Sequence, residues 1–212
     1  MRRKSFDVLV SVGGLLLTLV LVAAGALLVW GYTFTNNTVH NQLSAQQIYF
    51  PTKAELAQAK PAAPGTFSEI TPQMVPYLEP YAGQLLTTGA QAHVYADNFI
   101  GGHLQQIGGG KTYSQLSSAA MALPKGSAAY TSAEATVQTM FQGTTLRGML
   151  LNAYGFWQMG QIALIAAIVS FALALVTLAL SGLGLWHYRR VPADEEIPRF
   201  APAPQGLAPS AS

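Results

Sequence analysis

Residues 8–29 read VLVSVGGLLLTLVLVAAGALLV, and this stretch decides how the chain is built. It is 22 residues long, carries no charge, and has nothing more polar than the hydroxyls of Ser11 and Thr18. At about 1.5 Å per residue a helix of this length measures about 33 Å, enough to cross the roughly 30 Å hydrocarbon core of a bilayer. The stretch predicts a transmembrane helix over residues 8–30.

A second apolar stretch, residues 162–186, reads IALIAAIVSFALALVTLALSGLGLW and is also free of charge. A helix of this length measures about 37 Å, so it must tilt or extend beyond the hydrocarbon core. We expect a second transmembrane helix over residues 159–187. Together the two stretches predict an all-α membrane protein in which two transmembrane helices pack as an antiparallel pair, with a mainly helical extracytoplasmic domain between them.

The composition agrees with a membrane protein. Only 9% of the residues are charged, against about 25% in soluble domains, and the mean hydropathy is positive. The 11 Lys and Arg residues are spread thinly and the net charge is +2, so we expect no nucleic-acid partner. The absence of cysteine excludes disulfides, thiolate metal sites and cysteine nucleophiles.

Basic residues at the far ends of the two stretches predict the orientation. Cytoplasmic flanks carry an excess of Lys and Arg, so both termini are expected in the cytoplasm and the chain in the plasma membrane. The segments are then a cytoplasmic N-terminus at 1–7, an extracytoplasmic domain at 31–158 and a cytoplasmic tail at 188–212. The residues that set this topology are Arg2, Arg3, Lys4, Arg189 and Arg190.

Aromatic side chains flank both stretches, as they do at membrane–water interfaces. Four of them fall at the predicted outer interface and two at the inner one. They are Trp30, Tyr32, Tyr154 and Trp157 outside, and Trp186 and Tyr188 inside.

A cleaved signal peptide is the alternative for the N-terminus. Residues 2–4 are basic like an n-region, and Ala24-Gly25-Ala26 resembles a small-residue cleavage site. Cleavage there would leave the apolar run 27–30 as a new terminus, and the run exceeds the usual 7–15 residues of an h-region by about half. We therefore favour a retained span.

Helix signals dominate the segment 31–158. Thr88 with Gln91, Thr112 with Gln115 and Thr131 with Glu134 have the spacing of capping boxes, which predicts at least three helix starts. We expect the run Gly108-Gly109-Gly110 to end a helix. A helix after Thr131 should run almost continuously into the second span, and the first span's helix should continue outward before Pro51.

Two proline-rich stretches are predicted to lack long helices. The five prolines between Pro61 and Pro80 favour an extended stretch with short helical turns. The tail 188–212 has almost no apolar side chains after Phe200, so we expect it to be disordered. The alternative for the tail is a polyproline docking ligand at its Ala-Pro-Ala-Pro stretch.

His93, Asp97 and His103 are the only group whose side chains would suit a metal enzyme. On one helix His93 and Asp97 share a face, but His103 lies about 15 Å further along the axis. A break at Gly101-Gly102, or a ligand from His40, would be needed to complete a site. The sequence also lacks a nucleophile elbow, a Walker loop and a zinc-peptidase motif. We therefore predict no cofactor, no metal and no catalysis.

Small residues recur at spacings of three and four along the second span. In a bilayer such a row lets another helix approach closely, and it would suit a homo-oligomer or a membrane-protein partner. The first span has a weaker version in Gly14, Thr18 and Gly25. The row in the second span is Ala163, Ala166, Ala167, Ser170 and Ala174.

Three stretches together resemble a family of uncharacterised two-span actinobacterial membrane proteins. They are RRKSFDVLVSVGGLLL from residue 2, GKTYSQLS from residue 110 and FQGTTLRGMLLNAYGFWQMGQIAL from residue 141, and the resemblance extends to about His187. Members often carry the label "aromatic ring-opening dioxygenase". Such dioxygenases hold iron with a firmly built set of two histidines and a carboxylate, which the present trio does not match. The resemblance implies the two-span topology and adds no mechanism.

Three functions follow from these patterns as hypotheses. The leading one is a non-enzymatic plasma-membrane protein whose extracytoplasmic domain interacts with envelope components or another membrane protein. The second is a ligand-sensing or solute-binding module, suggested by the loop 61–80 and the helix that carries His93. The third is a metal-dependent enzyme that uses His93, Asp97 and His103.

Overall fold

A computed structural model describes residues 3–63 and 66–190 of the chain. Within these ranges the protein is mostly helical and has no β-strand; Tyr49 and Leu85 form one isolated antiparallel bridge. This confirms the predicted all-α class. Disorder was expected over residues 188–212, but residues 188–190 are helical, so the prediction is wrong for these three positions. Arg2 and the rest of the tail, from residue 191 onward, lie outside the described residues.

Two long helices stand first and last in chain order, and a series of short helices lies between them in the sequence. Helix α1 spans Arg3–Ala45 and helix α7 spans Ala128–Arg190, with 43 and 63 residues. Both are long and apolar enough to cross a membrane, as the sequence predicted. The short helices between them are α2 (Lys53–Leu56), α3 (Val75–Leu78), α4 (Gly89–Val94), α5 (Gly101–Ile107) and α6 (Tyr113–Met121).

The described chain forms two compact units. The first consists of α1 up to Leu27 and α7 from Ala166 onward, and the second of Leu28–Ile165. The second unit, called the outer unit below after its predicted extracytoplasmic position, has a hydrophobic core of its own, in which Leu78, Leu86 and Ala92 are fully buried. Leu43 of α1 and Leu150 of α7 join this core.

Two of the three predicted capping boxes are present at the starts of helices. Thr88 and Thr112 each accept a backbone hydrogen bond from the residue three positions on, and that residue's side chain accepts one in return. The prediction at Thr131 is wrong. Helix α7 starts earlier because Ser127 Oγ accepts a hydrogen bond from Tyr130 N at 3.1 Å. Thr131 therefore lies within the helix, where its hydroxyl donates to Ser127 O.

Helix α5 ends where the glycine run begins, as predicted. Gly109 and Gly110 have φ angles of +56° and +78°, which side-chain-bearing residues rarely adopt. The predicted continuations are also present, since α1 extends to Ala45 and α7 runs unbroken from the outer unit into the apolar stretch. In the region 61–80, the described residues, 61–63 and 66–80, contain only short helical turns near the end of the region.

No sequence pattern predicted the π-helical segment of this protein. Tyr95–Ile100 winds as a π-helix between α4 and α5, so residues 89–107 form one continuous helical run with a wider turn in the middle. Asn98 donates from its side chain to Val94 O within this segment. Such wide turns alter the direction of side chains and often occur at functional positions.

Candidate functional site

In the first unit, the positions of α7 that pack against α1 form a row along the helix. Their side chains are small or carry a hydroxyl. Three residues of the predicted row, Ala167, Ser170 and Ala174, are buried. Ala166 is half-buried. Ala163 is also half-buried, but it lies in the outer unit. The row continues beyond the prediction through Thr177, Ser181 and Gly184. The same spacing of three and four residues would have revealed these positions.

The facing row on α1 consists of Ser11, Gly14, Thr18, Leu21 and Gly25. Thr18 Oγ1 and Thr177 Oγ1 lie 2.8 Å apart, so one hydroxyl donates to the other. Ser170 Oγ donates to Leu21 O at 2.8 Å. The hydroxyls of Thr18, Ser170 and Thr177 each have a hydrogen-bond acceptor within reach, as an apolar surrounding requires.

Glycine permits the closest approaches between these two rows. A side chain at Gly14 would collide with Ser181, and one at Gly184 would collide with Ser11. A Cβ at Gly25 would lie 2.8 Å from the ring of Phe171. Gly13, by contrast, has open space where its side chain would be.

In the outer unit, Asp97 lies between two basic side chains. His93 Nε2 is 3.1 Å from Asp97 Oδ2, so the two share a helix face as predicted. On its other side Asp97 Oδ1 accepts a hydrogen bond of 2.7 Å from Arg147 Nη2 of α7. The ring of Tyr154 stacks on the imidazole of His93, with centroids 4.3 Å apart. The group ties α4 and the π-helical segment to α7.

His103 does not join this group. Its Nε2 lies 2.6 Å from Glu69 O, and its ring packs on Phe99 and Phe67. His40 is exposed on α1. Within the described residues, no three His, Asp or Glu side chains lie close enough together to hold a metal ion.

The predicted membrane anchors are placed in two different ways. Trp30 is exposed and stacks on Phe34 at 5.7 Å. Tyr154 and Trp157 are half-buried instead, and Trp157 covers Gly89 at the start of α4. Tyr32 is half-buried as well. At the other end of α7, the Arg190 guanidinium lies 3.9 Å from the ring of the exposed Trp186, next to the half-buried Tyr188.

A cleft of the outer unit has a volume of about 630 Å³. Its walls combine the aromatic rings of Tyr49, Tyr95 and Phe99 with the charged side chains of Lys60 and Glu69. Burial raises the pKa of Tyr95, and the negative charge of Glu69 raises it further. The cleft therefore has an aromatic wall with both signs of charge at its edge.

A second cavity of about 430 Å³ is an apolar groove between the outer parts of α1 and α7. Phe34, Val39, Leu146, Met149 and Phe156 supply its walls, and amide and hydroxyl side chains complete the lining. None of the 14 lining residues is charged. We did not expect this groove from the sequence, because its residues are widely separated along the chain.

The comparisons with known proteins identify no family. No protein-family model matches the chain, and neither a curated protein nor a solved structure is similar to it. The resemblance to two-span actinobacterial proteins therefore stays a prediction.

Proposed function

We propose that this chain is a non-enzymatic integral protein of the plasma membrane with both termini in the cytoplasm. In this proposal α1 and α7 cross the bilayer as an antiparallel pair and display residues 31–158 outside. The displayed domain interacts with an envelope component or with another membrane protein.

The observation that carries the proposal is the inverted distribution of polarity in the first unit. Its buried positions include Ser11, with 2% of its surface exposed, and Ser181, with 4%. Its exposed positions include Leu19 and Leu175, at 69% and 68%. Water would penalise such an arrangement, whereas lipid favours apolar side chains outside and small, hydrogen-bonded ones between helices.

The direction of the pairing supports an antiparallel pair. Going outward along α1 from Gly14 to Thr18, the partners on α7 go backward from Ser181 to Thr177. Basic residues then flank the pair at one end only, with Arg3 on α1 and Arg189 and Arg190 on α7. Under the positive-inside rule this is the cytoplasmic end.

A topology experiment tests the proposal in native membranes. A reporter active only outside the cytoplasm, inserted near residue 90, should be active, and the same reporter after residue 190 should be silent. The opposite pattern would refute the orientation. Sequencing the mature N-terminus checks the signal-peptide alternative, because a start after Ala26 would leave a single span.

The aromatic cleft favours solute binding as a second candidate. Its volume of about 630 Å³ is within the usual range for ligand pockets, roughly 300–1,000 Å³, and its edge has both Lys60 and Glu69. Zwitterionic or cationic small molecules would suit this lining. Amino acids and amines are added one at a time to the full chain in detergent, and at least one of them should raise its unfolding temperature. Tyr49→Ala should abolish this rise. Tyr113→Ala, outside the cleft, is the control.

A further inference from the structure

We propose that the apolar groove between α1 and α7 in the outer unit holds the acyl chain of a membrane lipid. The inference rests on the proposed function, because it requires a bilayer beside the displayed domain. It deepens that function by naming a lipid as the envelope component that the domain binds.

The chemistry of the groove selects an uncharged, apolar occupant. Several of its largest side chains are exposed, with Met149 at 66%, Phe34 at 57% and Phe156 at 50%. An occupant would remove this apolar surface from water, which is favourable. A charged peptide segment would find no counter-charge in the lining. The amides of Gln42, Gln46 and Asn152 offer hydrogen bonds to a polar ester or headgroup.

The groove runs along α7. Its lining follows α7 from Leu146 to Phe156, a length of about 15 Å at about 1.5 Å per residue. Its volume of about 430 Å³ lies within the usual range for ligand pockets, roughly 300–1,000 Å³. An extended hydrocarbon chain would lie along α7, in contact with the apolar side chains that line the groove.

The groove is distinct from the membrane-spanning surface of the same helices. On α1, Asn37, His40 and Asn41 are exposed beside the groove, so this part of the helix is not apolar all round. One face is therefore suited to water and the other to hydrocarbon. In sequence, Phe34 follows the predicted interface residue Trp30 by one helical turn, and Phe156 directly precedes Trp157.

Photolabelling of the unmodified full chain tests the inference. The protein is placed in phosphatidylcholine vesicles that contain a phosphatidylcholine with a photoreactive diazirine on its acyl chain, and labelled residues are mapped by mass spectrometry. We expect labels at Phe34, Met149 and Phe156, in addition to those in the spans. Asn37 and His40 should stay unlabelled.

Each other labelling pattern has a definite meaning. Labels confined to residues 8–30 and 159–187 would overturn the inference and leave the proposed function intact. Labels on all faces of residues 34–45 would also overturn it, because they would show simple immersion in the bilayer. A chain without any label would contradict both proposals.

Groove-filling variants provide a matched comparison. Thr38→Phe places a ring in the groove, whereas Asn37→Phe places the same ring on the neighbouring exposed position. Thr38→Phe should abolish the label at Met149 without changing labels in the spans, and Asn37→Phe should change neither. Unaltered labelling of Met149 in Thr38→Phe would count against the inference. Ala153→Phe, which fills the groove from α7, repeats the test if Thr38→Phe does not fold.

Discussion

Arg147 Nη2 donates a hydrogen bond to Asp97 Oδ1 at 2.7 Å, and this contact joins α7 to a π-helical segment 50 residues earlier in the chain. Asp97 Oδ2 also lies 3.1 Å from His93 Nε2, so the two oxygens of one carboxylate contact two different side chains. The π-helical turn brings the carboxylate to this position, between the helix that carries His93 and α7.

Breaking this contact should have a modest effect on stability, because both side chains are more than a third exposed. We expect Arg147→Ala to lower the free energy of unfolding by about 1 kcal/mol, as is usual for a hydrogen-bonded ion pair that water partly screens. A double-mutant cycle with Asp97→Asn, measured by thermal unfolding in detergent, should give a coupling energy above zero. Lys125→Ala is the control, because Lys125 is exposed and has no ion pair among the described residues. Equal losses of stability in Arg147→Ala and Lys125→Ala would contradict a specific Arg147–Asp97 contact.

Two neighbouring glycines in α1 should respond very differently to the same substitution. A side chain at Gly14 would collide with Ser181, whereas Gly13 has open space. We expect Gly14→Leu to destabilise the first unit by about 1–3 kcal/mol, the usual cost of overpacking. Gly13→Leu should have little effect or be slightly stabilising. Thermal unfolding of both variants in the same detergent measures the difference, and equal unfolding temperatures would show that the two rows do not pack.

Tyr95 should make the outer unit sensitive to high pH. Burial raises its pKa above 10.0, with a further contribution from Glu69, so the folded state favours the neutral phenol. This stabilisation is complete below the unfolded pKa near 10 and is lost as the pH rises through the folded pKa. Stability should therefore fall above about pH 10, and less steeply in Tyr95→Phe. Absorbance titration of tyrosine should show Tyr95 ionising at a lower pH in Glu69→Gln; an unchanged value would exclude the Glu69 contribution.

The two threonines that share a capping-box pattern should differ in their contribution to stability. Thr88 caps α4 through reciprocal hydrogen bonds with Gln91. Thr88→Ala should lower the free energy of unfolding by about 1 kcal/mol. Thr131 lies within α7, so Thr131→Ala should change it by less than about 0.5 kcal/mol. Chemical denaturation of both variants provides the comparison, and a larger loss at Thr131 would contradict the observed start of α7 at Ala128.

Local signals predicted the parts of the fold that depend on neighbouring residues. The two apolar stretches, the caps at Thr88 and Thr112 and the end of α5 at the glycine run all follow from interactions within a few positions. The error at Thr131 has the same origin. Ser127 and Thr131 both carry a hydroxyl that suits a helix start, and local spacing does not decide which one is used.

The candidate sites depend on contacts that local patterns do not contain. Thr18 meets Thr177 from 159 positions away, and the groove joins residues near Phe34 to others near Phe156. Spacing on one helix also placed His93 beside Asp97 but could not indicate that Arg147 would be the third partner. These pairings arise only when the chain folds back on itself.

In both buried rows, successive positions lie alternately three and four residues apart. This spacing limits which insertions and deletions the two helices can accept without losing their contacts. A repeat averaging 3.5 residues falls short of the 3.6 of a straight helix, so helices that keep such a seam coil around each other with a left-handed twist. Inserting one residue between Ala167 and Gly184 would rotate everything beyond it by about 100°, and would turn leucines towards α1 and serines towards the exposed face of α7. Insertions or deletions of whole seven-residue steps would preserve the register of hydroxyl and glycine contacts between the two helices.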